Sequence, residues 1–319
     1  MRRLIINADD FGLTSGVNRA IVEAHQQGVV TSTTLMATGR AFSDAAQQSH
    51  TLPKLSVGCH VVLVDGQPTC RPEQVRSLLM PSRREGLPFS PVRDGHMRTV
   101  AATAAPTARF YDGFGQLALL SVKGRVHSDQ VQAEAGSQIE CLQHAGINVS
   151  HVDAHKHTHM LPQVADAIMR AARDRGIRAI RNPFVPLRIV IFSHVLRRPK
   201  LWKRYFETTM LRKYHHAFRE RVKRNGMITP DGSFGVISTG IMDDDLFSAI
   251  VGSIPEGTWE LVCHPGYNDA ELGLVHTRLR ESRARELAVF LSPRSRQALA
   301  DHNIELISYH DFANQFANQ

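Results

Sequence analysis

"RLIINADDFGLTSGVNRA", residues 3–20, begins with a short apolar run, stops at two aspartates and passes into a helix-like pattern. An apolar, β-branched run of that length reads as a buried strand. With a helical pattern over 15–27 behind it, the first unit is βα. The residues just after the strand decide between two parallel architectures. A doubly wound dinucleotide fold places a GxGxxG turn here, and this chain has ADDFG instead, which turns the reading towards a barrel.

The same unit recurs along the chain. Strand candidates are 3–7, 31–37, 55–64, 147–153, 177–182, 235–239, 259–264 and 304–309, with helical patterns over 15–27, 41–50, 129–145, 162–175, 243–252 and 278–300. About eight strands alternating with helices predict an α/β protein, a (β/α) barrel or barrel-like variant with mostly parallel strands. At 319 residues such a barrel folds as one catalytic domain over 1–319. Two stretches fall outside the pattern: 65–128, rich in Pro, Gly, Arg and Ser, reads as an irregular excursion, and 184–230 as a basic one.

Hydrophobic residues at 42% and charged residues at 21% are ordinary for a globular chain, which excludes global disorder. The N-terminal apolar run is too short for a signal-peptide core, and no window offers the roughly 18 apolar residues of a membrane span. Cysteines at 59, 70, 141 and 263 form no CxxC pair. Buried thiols and a cytoplasmic location are the expectation.

In parallel barrels the loops after the strands converge on one mouth, so reactive groups gather at the carboxyl ends of strands. Asp9 and Asp10 end the first strand candidate, His60 lies late in the third, "HVDAHKHTHM" (151–160) straddles the end of the fourth, and His264 ends the seventh in "CHPGY". Taken singly, ADD can be a turn and helix cap, and His60 or His264 a half-buried histidine. Four histidines and an aspartate in ten positions are different, because a solvated loop rarely holds H-x-D-x-H-x-H-x-H. One divalent ion on Asp10, His60 and one or two histidines of that run gives them a purpose, with a position left for water. If the run stays extended, 151, 153, 155, 157 and 159 share one side, so that His155 ligates while Asp153 or His157 orients it. His159 and Arg181 are grouped with those two as supporting or substrate-binding residues. Asp9 diverges from Asp10 at the strand end and is the candidate general base; His264, held by the Pro-Gly turn, is the candidate acid or oxyanion donor.

"NADDFGLTSGVNRAIVEAHQQGVVTSTTLMA", "VGCHVVL", "HVDAHKHTHM" and "CHPGY" together resemble the motifs of the YdjC-like carbohydrate deacetylases, in order and at similar spacing. The resemblance runs from residue 3 to about 310. It implies a barrel-like fold and metal-dependent removal of an acetyl group from an N-acetylated amino sugar. Asp10, His60 and His155 are then the ligands, Asp9 the base and His264 a catalytic histidine. The family is usually assigned magnesium, whereas two imidazoles and one carboxylate suit zinc as well. The AHKH form of the third motif is similar to the hopanoid biosynthesis-associated branch, whose substrate is an N-acetylglucosaminyl lipid; Asp153 stands where that branch carries Asn.

From Leu187 to Asn225, twelve Lys/Arg face two acids, a charge of +10 that leaves −2 for the rest of a chain whose total is +8. Interleaved with Trp202, Tyr205 and Tyr214, these cations fit a peripheral contact at the inner membrane face and a glycolipid substrate. A solvated helical excursion is the simpler alternative, and no motif supports nucleic acid. Rival functions are another metal hydrolase, such as a phosphoesterase or amidohydrolase, and a non-catalytic membrane- or nucleic-acid-binding protein. A homo-oligomer is compatible with all of them.

Overall fold

The computed structural model describes residues 1–81, 108–184, 214–234 and 239–317. Strand β1 (Arg2–Phe11) is buried on both faces from Leu4 onwards, as the central strand of a parallel sheet must be. Around it stand β2 (Ser32–Leu35), β3 (Ser56–Val61), β4 (His151–Ala154), β5 (Ala179–Ile180), β6 (Gly232–Phe234), β7 (Gly257–Cys263) and β8 (Ile304–Leu306). Every pairing is parallel, in the order β5-β4-β3-β2-β1-β7-β6. β8 joins the first residues of β1, beside Arg2 to Leu4.

The two ends of that order are themselves bonded. Ile180 N–H donates to Ile228 O, Ile228 N–H to Arg178 O and Ser233 N–H to Phe184 O, so the sheet curls into a barrel-like form. Helices cover its outside: α1 (Ser15–Gln26), α2 (Phe42–Ser49), α3 (Gly113–Val122), α4 (Ser128–His144), α5 (Pro162–Arg173), α6 (His215–Arg224), α7 (Asp244–Ser253), α8 (Ala270–Gly273), α9 (Glu281–Leu291), α10 (Pro293–Asp301) and α11 (Tyr309–Ala317). Their starts reflect local chemistry. The Thr14 hydroxyl caps α1 through Val17 N–H, and Asp243 caps α7 through Leu246 N–H.

Several expected boundaries move. The pattern over 278–300 is two helices, because Pro293 cannot continue α9 and instead opens α10, capped by Ser292. The sixth strand lies at 232–234; of the candidate 235–239 only Thr239 is among the described residues. The excursion at 65–128 contains α3 and short 3-10 turns in its described parts. Of the basic segment, 214–225 is described: there α6 buries Phe218 and Val222, while Arg219 and Arg221 pair with Asp231 and Asp166. Among the described residues no helix is long and apolar enough to cross a membrane.

Candidate metal centre

The centre begins with a defect in β1. Asn7 and Ala8 pair with Ser32 and Thr33, but Phe11 pairs with Leu35, so Asp9 and Asp10 together oppose the single residue Thr34. This bulge interrupts the inward–outward alternation, and Asp10 takes a left-handed backbone with φ 69°. Neighbouring carboxylates that an ideal strand would send to opposite faces thus both reach the rim.

Asp10 Oδ1 lies 3.6 Å from His60 Nε2 and 3.4 Å from His155 Nδ1, and the two nitrogens are 3.2 Å apart. A divalent ion about 2.1 Å from three donors holds them about 3.0–3.4 Å apart; two of these separations fall in that range and the third, 3.6 Å, is slightly longer. His60 comes from β3, and His155 from the first position after β4. Three strand ends therefore aim one donor each at a single point. His155 is the most open of the three, with 21% of its side chain exposed, so the approach is from its side.

Two of the three candidate ligands, Asp10 and His60, are held from behind. Asp10 Oδ2 accepts from the buried guanidinium of Arg283. His60 Nδ1 donates to Asp153 Oδ1 at 2.7 Å, which leaves the Nε2 lone pair for a cation. Burial opposes charge on His60, but Asp153, Asp9 and Asp10 overcome it and push its pKa up to about 9. For Asp10, burial is outweighed by Arg283 and His155, which hold the carboxyl well below its usual range.

A second group of close donors, Asp9, His60 and Asp153, already has a cation. Arg181, fully buried, gives Nη1 and Nη2 to Asp9 at 2.8 and 2.6 Å, contacts Asp153 through Nη1 and donates Nε to Glu260 at 2.8 Å. Asp9 is thereby kept ionised: burial works against it, and Arg181, His60 and His264 prevail. Around the rim two buried guanidinium groups, Arg181 and Arg283, face five buried carboxylates: Asp9, Asp10, Asp153, Glu260 and Glu286. A divalent cation at the Asp10–His60–His155 point reduces that excess of negative charge.

His264 closes the other side. Its Nε2 is 3.9 Å from Asp9 Oδ2, and its backbone N–H donates to Glu286 Oε2 at 2.6 Å. The Asp9 carboxylate and the His264 ring thus face each other beside the Asp10–His60–His155 cluster.

The chain belongs to the YdjC-like protein family. The family model matches residues 3–301. The chain is 27% identical over 312 residues to a carbohydrate deacetylase of Thermoanaerobacter pseudethanolicus, covering 97% of this chain and 98% of that one. It is 35% identical over 177 residues to a chitooligosaccharide deacetylase of Salmonella typhimurium, covering 55% of this chain and 58% of that one. Its fold is similar to that of an Enterococcus faecalis protein named for cellobiose-phosphate cleavage, with a TM-score of 0.72 at 23% identity and 98% of each chain covered.

In this YdjC-like chain the histidine run does not stay extended. β4 ends at Ala154, and the turn at 155–160 places Lys156 and His157 at φ 52° and 53°, so odd-numbered residues do not share a side. His151 is a core residue: its ring stacks on Tyr309 at 3.5 Å and bonds Ser150 Oγ, and Gly58 has no room for a Cβ beside it. Neither His157 nor His159 joins the ligand cluster; His159 is buried with both ring nitrogens unpartnered. Thr34, Glu260, Arg283, Glu286 and Tyr309 escaped the sequence reading. Two had a signal: Arg283, Glu286, Leu287 and Phe290 share one helical stripe, and charge at two of its four positions marks a buried polar face.

Proposed function

We propose that this chain removes the acetyl group from an N-acetylated amino sugar, using one divalent ion on Asp10, His60 and His155. The carrying observation is the meeting of those three donors beside the Asp9–His264 gap, in a chain similar over nearly its whole length to a carbohydrate deacetylase. When bound, the ion supplies Lewis acidity, acidifying a water and polarising the acetamide carbonyl. Asp9 takes the proton of the attacking water through Oδ2, the oxygen turned to His264. His264 hydrogen-bonds the developing oxyanion and gives a proton to the departing nitrogen. The C–N bond breaks, leaving acetate and a free amine. Arg181 fixes Asp9, Asp153 fixes His60, and His157, on the ligand-bearing turn, is our candidate for binding sugar; His159 backs that turn.

Within this class we place the N-acetylglucosaminyl head group of a hopanoid lipid first, on the AHKH motif and the basic, aromatic segment 187–225. Arg219 and Arg221 already pair with acids of the fold, so contact with anionic lipid at the inner membrane face rests on Lys223, Arg224 and the cations before 214. Magnesium and zinc are both accommodated by the donor set, and the cytoplasm is the proposed location. The test is acetate release from a short N-acetylglucosamine oligomer and from a GlcNAc-bearing lipid, with metal content measured alongside. Asp9→Asn is expected to lower kcat at least 100-fold with the metal retained, and His155→Ala to lose the metal as well. Wild-type turnover from either variant would refute the assignment.

A further inference from the structure

We infer that α9 is the positioning element of this centre, with Arg283 setting the metal-binding carboxylate and Glu286 setting the ring of His264. The inference rests on the deacetylase function proposed for this centre. Arg283 and Glu286 are three residues apart, hence on one helix face, and are 1% and 2% exposed. Despite opposite charges they serve different partners. The Arg283 guanidinium is anchored by Nε on Leu279 O at 3.2 Å and donates Nη2 to Asp10 Oδ2, which leaves Oδ1 turned to His60 and His155.

The passage of Arg283 into the site is built by the other strand end. Gly266 carries no Cβ, and one added there would stand 2.8 Å from Arg283 Cδ and 3.2 Å from its Cβ. Gly266 N–H also donates to Arg283 O at 3.3 Å. The Pro-Gly turn after His264 is therefore docked on α9 at the residue that orients Asp10.

Glu286 holds the same turn from one helical turn further on. Its Oε2 accepts His264 N–H at 2.6 Å and its Oε1 accepts Gly240 N–H at 3.0 Å. The Oε2 atom also lies 4.0 Å from His264 Nδ1, a buried nitrogen without a hydrogen-bond partner. A carboxylate on that side keeps one proton on Nδ1, so that Nε2, the atom facing Asp9, is the nitrogen that takes up a second proton and gives it away. Both residues act through their partners and need not touch substrate.

The two halves are separable by experiment. Titrated calorimetrically with Zn2+ alone, Arg283→Met is expected to bind 10- to 100-fold more weakly than wild type, with Arg283→Lys between them. Glu286→Gln is expected to keep Zn2+ affinity within about twofold and KM unchanged while kcat falls 10- to 100-fold. In long-range nitrogen–proton spectra of histidine-labelled protein, the His264 ring carries its proton on Nδ1 in wild type and loses that preference in Glu286→Gln. If Glu286→Gln does not fold, Glu286→Asp keeps the charge one methylene back and is expected to show a partial kcat loss. Wild-type Zn2+ affinity in Arg283→Met, or an unchanged kcat and His264 spectrum in the Glu286 variant, overturns the inference. A wild-type protein that binds Zn2+ but releases no acetate overturns the deacetylase reading, while the calorimetric and spectroscopic arms still decide this one.

Discussion

At the scale of single residues, the decisive fact is that Arg181 is a fully buried cation shared among Asp9, Asp153 and Glu260. Glu260 in turn accepts from Tyr309 Oη at 2.7 Å and Ser233 Oγ at 3.0 Å, so the guanidinium ties four strands together. Removing one partner of a buried ion pair costs about 3–5 kcal/mol, because the charge left behind is neither solvated nor paired. Here three carboxylates would be left. Arg181→Met is therefore expected to lower unfolding free energy by at least that amount in urea titrations. A loss below about 1 kcal/mol would mean that the carboxylates relax to solvent or take up protons at little cost. The Asp9–Arg181 bond also accounts for the absence of Asp9 from the Asp10–His60–His155 cluster: both its oxygens already face a cation.

At the scale of elements, the turn after β4 sets two consecutive left-handed residues beside the candidate ligand His155. Lys156 and His157 are consecutive left-handed residues without being glycine, a conformation that persists only where surroundings impose it. One imposing contact is the Lys156–Asp65 pair at 2.6 Å, which ties the His155 turn to the loop after β3. Asp65 is itself left-handed and accepts Gly113 N–H at 3.1 Å, so that loop is braced from the start of α3. Since Lys156 is 43% exposed, the pair contributes little to global stability, on the order of 0–1 kcal/mol. Its expected effect is on the ligand: Lys156→Ala or Asp65→Ala weakens metal binding several-fold while the melting temperature barely moves, and the exchanged pair Lys156→Asp/Asp65→Lys recovers part of the loss. Equal metal affinity in the single variants would show the turn to be held without the pair. This turn also marks where periodicity misleads: alternation over 151–159 holds only if the strand continues, and nothing in the residue types announces its end at Ala154. Conversely, α3 was hidden because GFGQLALLSV is apolar nearly all round, with no stripe to detect.

At the scale of the whole molecule, the βα alternation and the gathering of strand-end residues were legible, because parallel topology maps strand ends to one rim. Asp9, Asp10, His60, His155, Asp153, Arg181 and His264 do come together there. What the sequence concealed is the back of the site: Arg283 and Glu286 reach it from a helix outside the sheet, and Thr34 touches Asp9, His60 and Asp153 as an ordinary-looking residue of a buried strand. The fold also buries neutral imidazoles, with consequences for acid stability. His151, stacked on Tyr309 and bonded to Ser150, and His159, packed near His157 and Phe218, have pKa values well below 6.5, first because of burial and then because of the Arg181 charge or a neighbouring imidazole. Proton linkage fixes the sign. Above pH 6.5 both histidines are neutral in folded and unfolded chains alike; below it the unfolded chain takes protons that the folded one refuses, and stability falls. Asp9 and Asp10, with lowered values, add to this only below the ordinary carboxylate range near 3.8. Below pH 6.5, then, unfolding free energy is expected to drop by up to about 1.4 kcal/mol per pH unit for each of these histidines. Urea unfolding at pH 7.5, 6 and 5 measures the slope, and His159→Gln should remove part of it, the rest coming from His151 and from His157, which burial lowers to about 3; a flat profile would mean that these rings are protonated in the folded protein.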